Sequence, residues 1–127
     1  MSTQPMLGEI SQVTNVIHDL DRSVKFYRDA LGLTFLFQAP PSLAFFQCGN
    51  VRIMLSPPET PEQDHPGSVL YFSVKDIEAV YQALKGRGVP FADSPHRVHA
   101  TPEYELWMTF FQDPDRNPMA LMEQKPK

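Results

Sequence analysis

The chain has 127 residues, 42% of them hydrophobic, and a formal net charge of −4 at neutral pH. That length suits one domain burying roughly two thirds of its unfolded surface; no apolar run reaches the roughly 20 residues that span a bilayer, and the acidic balance argues against a nucleic-acid backbone as partner. The lone Cys48 excludes an internal disulfide, and with no charged and apolar leader in view a reducing cytoplasm is the expected location.

Residues 10–17 alternate as a strand and run into HDLDRS, where Asp19 or Asp21 can accept from the free amides of a helix start. Val24, Tyr27 and Leu31 then follow one buried helical stripe, and Gly32 supplies a left-handed stop. Strands are expected at 33–39, 42–47 and 51–56. In the last of these Val51, Ile53 and Leu55 alternate with Arg52 and Met54, so one face is apolar and the other carries a guanidinium beside a thioether. The stretch 57–67, rich in Pro, Glu and Gln, reads as a linker. A strand at 68–75 leads to Asp76 as a second N-cap, a stripe of Ile77, Val80 and Leu84, and Gly86 or Gly88 as stop. Strands at 89–97, 105–112 and 118–124 complete the chain.

The two halves share one grammar. Asp19 and Asp76 lie 57 positions apart, as do Leu20 and Ile77, whereas Gly32 and Gly88 lie 56 apart, so one residue is missing from the second helix. AFFQ at 44–47 answers TFFQ at 109–112. A β-α-β-β-β unit of about 55 residues covers one sheet face with its helix and leaves the other bare, so two copies should pair around a cavity. Module one is expected at about 8–56, the linker at 57–67 and module two at about 68–125.

DLDRSVKFYRDALGL near the start and FFQDPDRNPMALME near the end resemble the vicinal oxygen chelate superfamily, which includes glyoxalase I, extradiol dioxygenases, methylmalonyl-CoA epimerase, and fosfomycin- and bleomycin-resistance proteins. The resemblance spans nearly the whole chain. It implies an α+β fold in which two β-α-β-β-β modules form an open, curled mixed sheet around a cup, with helices outside, and it implies a homodimer. It also implies, for metal-dependent members, ligands on the first and last strands of each module. Carried onto this sequence those positions are Gln12, Met54, Val69 and Ala120. An amide, a thioether and two hydrocarbons cannot hold a zinc, iron, manganese or nickel ion, so neither a metal nor another cofactor is expected.

In the same arrangement Val51, Ile53 and Leu55, with Leu70, Phe72 and Val74, should face the helices. Arg52, Met54 and Ser56, with Val69, Tyr71 and Ser73, should line the cup, a mixed wall of the kind that takes small organic ligands. Arg52 is the first candidate: as a cup residue it needs either a carboxylate or phosphate on a ligand, or an ion pair with a protein group such as Glu105 or Glu123. His96 and His99 stand at i and i+3, which in a strand points them to opposite faces, so a joint metal site is not expected; His96 alone could act as a base or donor at the cup mouth, or be an ordinary loop histidine. His18 and His65 read as structural or solvated. Trp107 and Phe111 alternate with Met108 and Phe110, one pair facing the core and the other the cup, and the sequence leaves open which. Rings among Phe35, Phe37, Phe45 and Phe46 should also line the cup. Asp113 to Asn117 reads as a tight turn, too short for a calcium loop, and Cys48 as an unactivated thiol.

The expectation is therefore a metal-independent binder of a small organic ligand, anionic where it meets Arg52, or a weak enzyme, with Gln12, Arg52, Met54, Tyr71, His96 and Trp107 in the pocket. The alternative is a metal-dependent lyase, epimerase or dioxygenase using unusual ligands such as Gln12 with His96, His99 or Glu123. A third reading is an interaction module whose cup is filled by its own side chains.

Overall fold

Two aspartates start the two helices of this computed structural model, which describes residues 5–127. Asp19 is extended and accepts from the Arg22 amide at 3.1 Å, opening α1 (Leu20–Lys25); Asp76 does the same for the Ala79 amide at 3.1 Å, opening α2 (Ile77–Gly86). Lys25 passes directly into a π-helical turn, Phe26–Ala30, before Gly32 ends the segment at φ 76°. A π turn is how a helix absorbs one inserted residue. The additional residue inferred for the first helix from the repeat spacing is thus held as a local widening, and Val24 and Tyr27 both remain buried.

The strands are β1 (Gln12–Val16), β2 (Thr34–Ala39), β3 (Leu43–Cys48), β4 (Val51–Ser56), β5 (Leu70–Ser73), β6 (His96–Ala100), β7 (Tyr104–Gln112) and β8 (Pro118–Pro126). They make two open four-stranded mixed sheets of matching order, β1-β4-β3-β2 and β5-β8-β7-β6. In each sheet the outer strand β1 or β5 runs parallel to its neighbour and the other pairs are antiparallel. The α+β architecture of two like modules follows the expectation, and no described helix is long and apolar enough to cross a membrane.

One strand differs. The sequence pattern suggested 89–97, but the ladder makes a single bridge at Phe91 opposite Phe111, breaks, and resumes as β6 at His96. Asp93 accounts for the break: its carboxylate accepts from the Phe110 amide at 2.9 Å, where a strand carbonyl would otherwise sit, and from the Thr109 hydroxyl at 2.7 Å. Pro95 then offers no amide to the ladder.

The core lies between the helices and the sheets. Ile53 and Leu55 of β4, Phe46 of β3, and Met119 and Leu121 of β8 are buried with Val24 and Tyr27 from the first helical segment and Ile77, Tyr81 and Leu84 from α2. Fully burying each large apolar side chain contributes about 1.5–3 kcal/mol. The expected inward set of β4 is therefore correct, and the alternate set faces away from the helices.

Candidate functional site

Residues paired across a ladder project to the same face of the sheet. In the first sheet Gln12 pairs with Arg52 and Thr14 with Met54 across β1–β4, and Phe45 pairs with Met54 across β3–β4. All stand on the face without helices, which is the cup face. Gln12 Nε2 lies 3.9 Å from Met54 Sδ. Phe37 and Phe45 stack at 4.7 Å with an interplanar angle of 27°, and the Arg52 guanidinium carbon sits 5.9 and 5.5 Å from their ring centroids. Phe35 and Phe46 pair on the opposite face, in the core. The aromatic π-faces attract the cation and position it without neutralising it.

Neither proposed acidic partner reaches Arg52. Glu105 is bound by Arg97 at 3.3 Å and by the Trp107 indole at 3.0 Å, and Glu123 accepts from the Ile77 amide at the start of α2 at 2.9 Å. No ion pair of Arg52 occurs among the described residues. The hydrogen bond from Trp107, then the Arg97 contact, hold the Glu105 carboxyl below its ordinary range.

The second sheet divides the remaining candidates. Tyr71 and Phe110 meet edge to face at 6.2 Å on the cup face, each paired with Ala120. His96 pairs with Met108 and shares that face; its Nδ1 donates to the Ser94 carbonyl at 2.8 Å. His99 does not turn away. A bulge between Arg97 and His99 inserts Val98 as an unpaired residue, so His99 pairs with Leu106 and returns to the face of His96. Trp107 goes the other way, with Phe111 and Thr109 on the helix side, where Lys125 Nζ stands 4.3 Å from its ring. Gln12, Arg52 and Met54 are thus brought together on one sheet, Tyr71 and His96 lie on the cup face of the other, and Trp107 lies behind it.

The four positions to which the resemblance carries the family ligands do not fit an ion. Met54 is a neutral thioether, Val69 and Ala120 carry no donor, and Gln12 supplies one amide. Of the unusual ligand set, Gln12 is on the first sheet, His96 and His99 share the cup face of the second, and Glu123 lies on the helix side, bound to the start of α2. Among the described residues no three His, Cys, Asp or Glu side chains gather to hold a metal. Cys48 is half-buried, and burial pushes its thiol up.

Sequence reasoning missed a polar clasp between the halves. Asp113, in the turn between β7 and β8, is buried and accepts from the Tyr27 hydroxyl at 2.7 Å and Asn117 Nδ2 at 2.8 Å. Asn15 Nδ2 donates to that tyrosine oxygen at 2.9 Å, and Asn117 reaches both the Val16 carbonyl and, as acceptor, the Gly67 amide. A Cβ on Gly67 would come 2.9 Å from Asn15 Oδ1, so any other residue there would have to displace the Asn15 amide. Beside it the His18 ring contacts Asp115 at 2.6 Å and Asp64 at 2.7 Å. The only signal in the sequence was the repeated Asp and Asn of the turn, whose partners are about 90 residues away.

Comparison with known proteins places this architecture. The Bacillus subtilis (strain 168) protein YraH, uncharacterised itself, is 28% identical over 122 residues, covering 86% of this chain and 93% of its own. A superfamily member from Sphaerobacter thermophilus DSM 20745 matches in structure with a TM-score of 0.79 and 23% identity over 94% of this chain and 99% of its own. TnmS3, an antibiotic binding protein from Streptomyces sp. CB03234, matches with a TM-score of 0.77 and 22% identity over 96% of this chain and 100% of its own. The family profile covers residues 9–121, and with the paired modules and the two signatures it establishes that the chain belongs to the Glyoxalase/Bleomycin resistance protein/Dioxygenase superfamily.

Proposed function

We propose that this protein binds a small organic ligand without the family metal, as a binder or a weak enzyme, and that the ligand is a flat or apolar molecule bearing a carboxylate or phosphate. The observation that carries this reading is Arg52: an exposed guanidinium held over Phe37 and Phe45, with Glu105 and Glu123 engaged elsewhere. A guanidinium offers a planar fork to an anion while the two rings offer apolar surface to the rest of the ligand. Gln12 and Met54 border the anion position; Tyr71 and His96 are assigned to its far side, and Trp107 does not share their face. The relative TnmS3 puts the same fold to binding an antibiotic.

Thermal unfolding with benzoate, phenyl phosphate and inorganic phosphate tests the reading. A ligand at ten times its Kd stabilises by about 1.4 kcal/mol, or about 5 °C for a domain of this size. The shift should appear with an aromatic anion at millimolar concentration and vanish in Arg52→Ala. An equal shift in Arg52→Ala, or silence for every anion, overturns it. Stoichiometric zinc, iron, nickel or manganese in protein purified without chelators overturns its metal-independent part.

The same proposal includes a cytoplasmic homodimer. Met6, Leu7 and Ile10 are exposed, and Ile10 borders an apolar crevice of about 250 Å³ between β4 and β5 that includes Val13, Val51, Val69 and Phe72. Sedimentation at twice the chain mass is expected, and a monomer at micromolar concentration refutes it.

A further inference from the structure

We infer that the cup face of the second sheet carries a site for a soft monovalent cation, Cu(I), held by the His96 imidazole and the Met108 and Met122 thioethers, with His99 beside them. The inference does not rest on the anion position at Arg52, which lies on the other sheet, and it shares only His96 with the far side of that pocket.

The ladder supplies the geometry. His96 pairs with Met108 across β6–β7 and Met108 pairs with Met122 across β7–β8, so the three form one row on one face. Adjacent strands lie about 4.8 Å apart, so His96 and Met122 flank Met108 by about 5 Å each. An imidazole and a thioether both span that distance, and their donors can converge on an ion above the central sulfur. The bulge at Val98 adds His99, which pairs with Leu106, two residues from Met108 on the same face. With Val98 paired in a regular ladder, that imidazole would point to the helix side.

The donor chemistry selects the ion. The Ser94 carbonyl can only accept, so the neutral His96 ring keeps its proton on Nδ1 and presents the Nε2 lone pair. Such a backbone contact is the usual way a ligating histidine is oriented. Met108 and Met122 are half-buried but lie on the face opposite the core, where close packing does not require a methionine. The flanking residues on this face, among them Leu106, Phe110, Ala120 and Gln124, bring no carboxylate. A divalent ion would keep its full charge there, whereas thioethers with imidazole suit Cu(I).

The full chain should be titrated anaerobically with Cu(I) against a colorimetric Cu(I) chelator, with Ag(I) as the redox-inert ion for NMR of the methionine methyl groups. One Cu(I) per chain is expected, with the Met108 and Met122 methyl signals moving together on Ag(I) addition. Affinity should fall at least about tenfold in Met108→Leu, in Met122→Leu and in His96→Gln. Leucine conserves methionine's volume, so the sheet should be retained, and unchanged circular dichroism checks it. Cys48→Ser should bind Cu(I) as the parent does. The inference is overturned if the chain takes no Cu(I) from the chelator, if both leucine variants keep full affinity, or if Cys48→Ser abolishes binding.

Discussion

At the scale of single residues, Arg52 and Asp113 solve opposite problems. Arg52 is charged and exposed, and its neighbours are rings that hold a cation by their quadrupoles while leaving its donors free. Asp113 is buried, and every polar contact around it is used. Tyr27 donates to one carboxylate oxygen, Asn117 donates to both, and the Asp115 amide donates to the other. Burial, and the nearby Asp113 charge after it, push the Tyr27 hydroxyl well above its ordinary range, so it remains a donor throughout the accessible pH range. Tyr27→Phe removes that donor and leaves a buried carboxylate oxygen and the Asn15 amide short of partners. A loss of about 1–3 kcal/mol is expected in urea unfolding, with the fold kept, because the ring still packs on Phe46. A change below about 0.5 kcal/mol would show that the clasp is already satisfied by water.

At the scale of elements, two irregularities do the positioning. The π turn at Phe26–Ala30 accommodates the residue by which the first helix exceeds the second, so Tyr27 can face Asp113 across the molecule without moving Gly32 from its stop. The bulge in β6 lies in the module where the second strand is already broken by Asp93 and Pro95. The partner pairing in the first sheet is also irregular, between Phe35 and Phe37, and there it brings Phe37 onto the cup face with Phe45. Equivalent irregularities thus aim a ring at Arg52 in one sheet and an imidazole at the methionine row in the other. Bulges re-aim side chains at functional faces for this reason: one extra residue reverses the parity of everything beyond it.

At the scale of the whole molecule, the two sheets share no ladder, and their mutual position depends on the core and on polar clasps. His18 follows β1 and reaches Asp115 in the last turn and Asp64 in the linker; hydrogen bonds to Asp115 first and Asp64 second raise its pKa above the ordinary value. A folded pKa above the unfolded one means protonated His18 stabilises the fold. That contribution is fully present below about pH 6.5 and is lost as pH rises through the raised value. The urea midpoint of the parent should therefore decline across this window between about pH 5.5 and 8.5, and His18→Gln should flatten the decline. Parallel profiles would remove His18 from the clasp. The exposure of the ring keeps the effect modest, since solvent screens the pairs.

The sequence by itself determined the duplicated modules, the second helix start at Asp76, the inward face of β4 and the family, and it narrowed the first helix start to Asp19 or Asp21, between which the structure chose Asp19. These are local or periodic features, written in spacing, capping and side-chain chemistry that a single segment carries. Only the tertiary structure decided that Trp107 lies behind the cup, that His96 and His99 share a face, and that Glu105 and Glu123 are engaged away from Arg52. Parity along β7 is symmetric until a core exists to choose a side, and a bulge appears only when two strands are in register. The Tyr27–Asp113 clasp was illegible for the same reason: its partners are 86 positions apart, and nothing in either segment names the other.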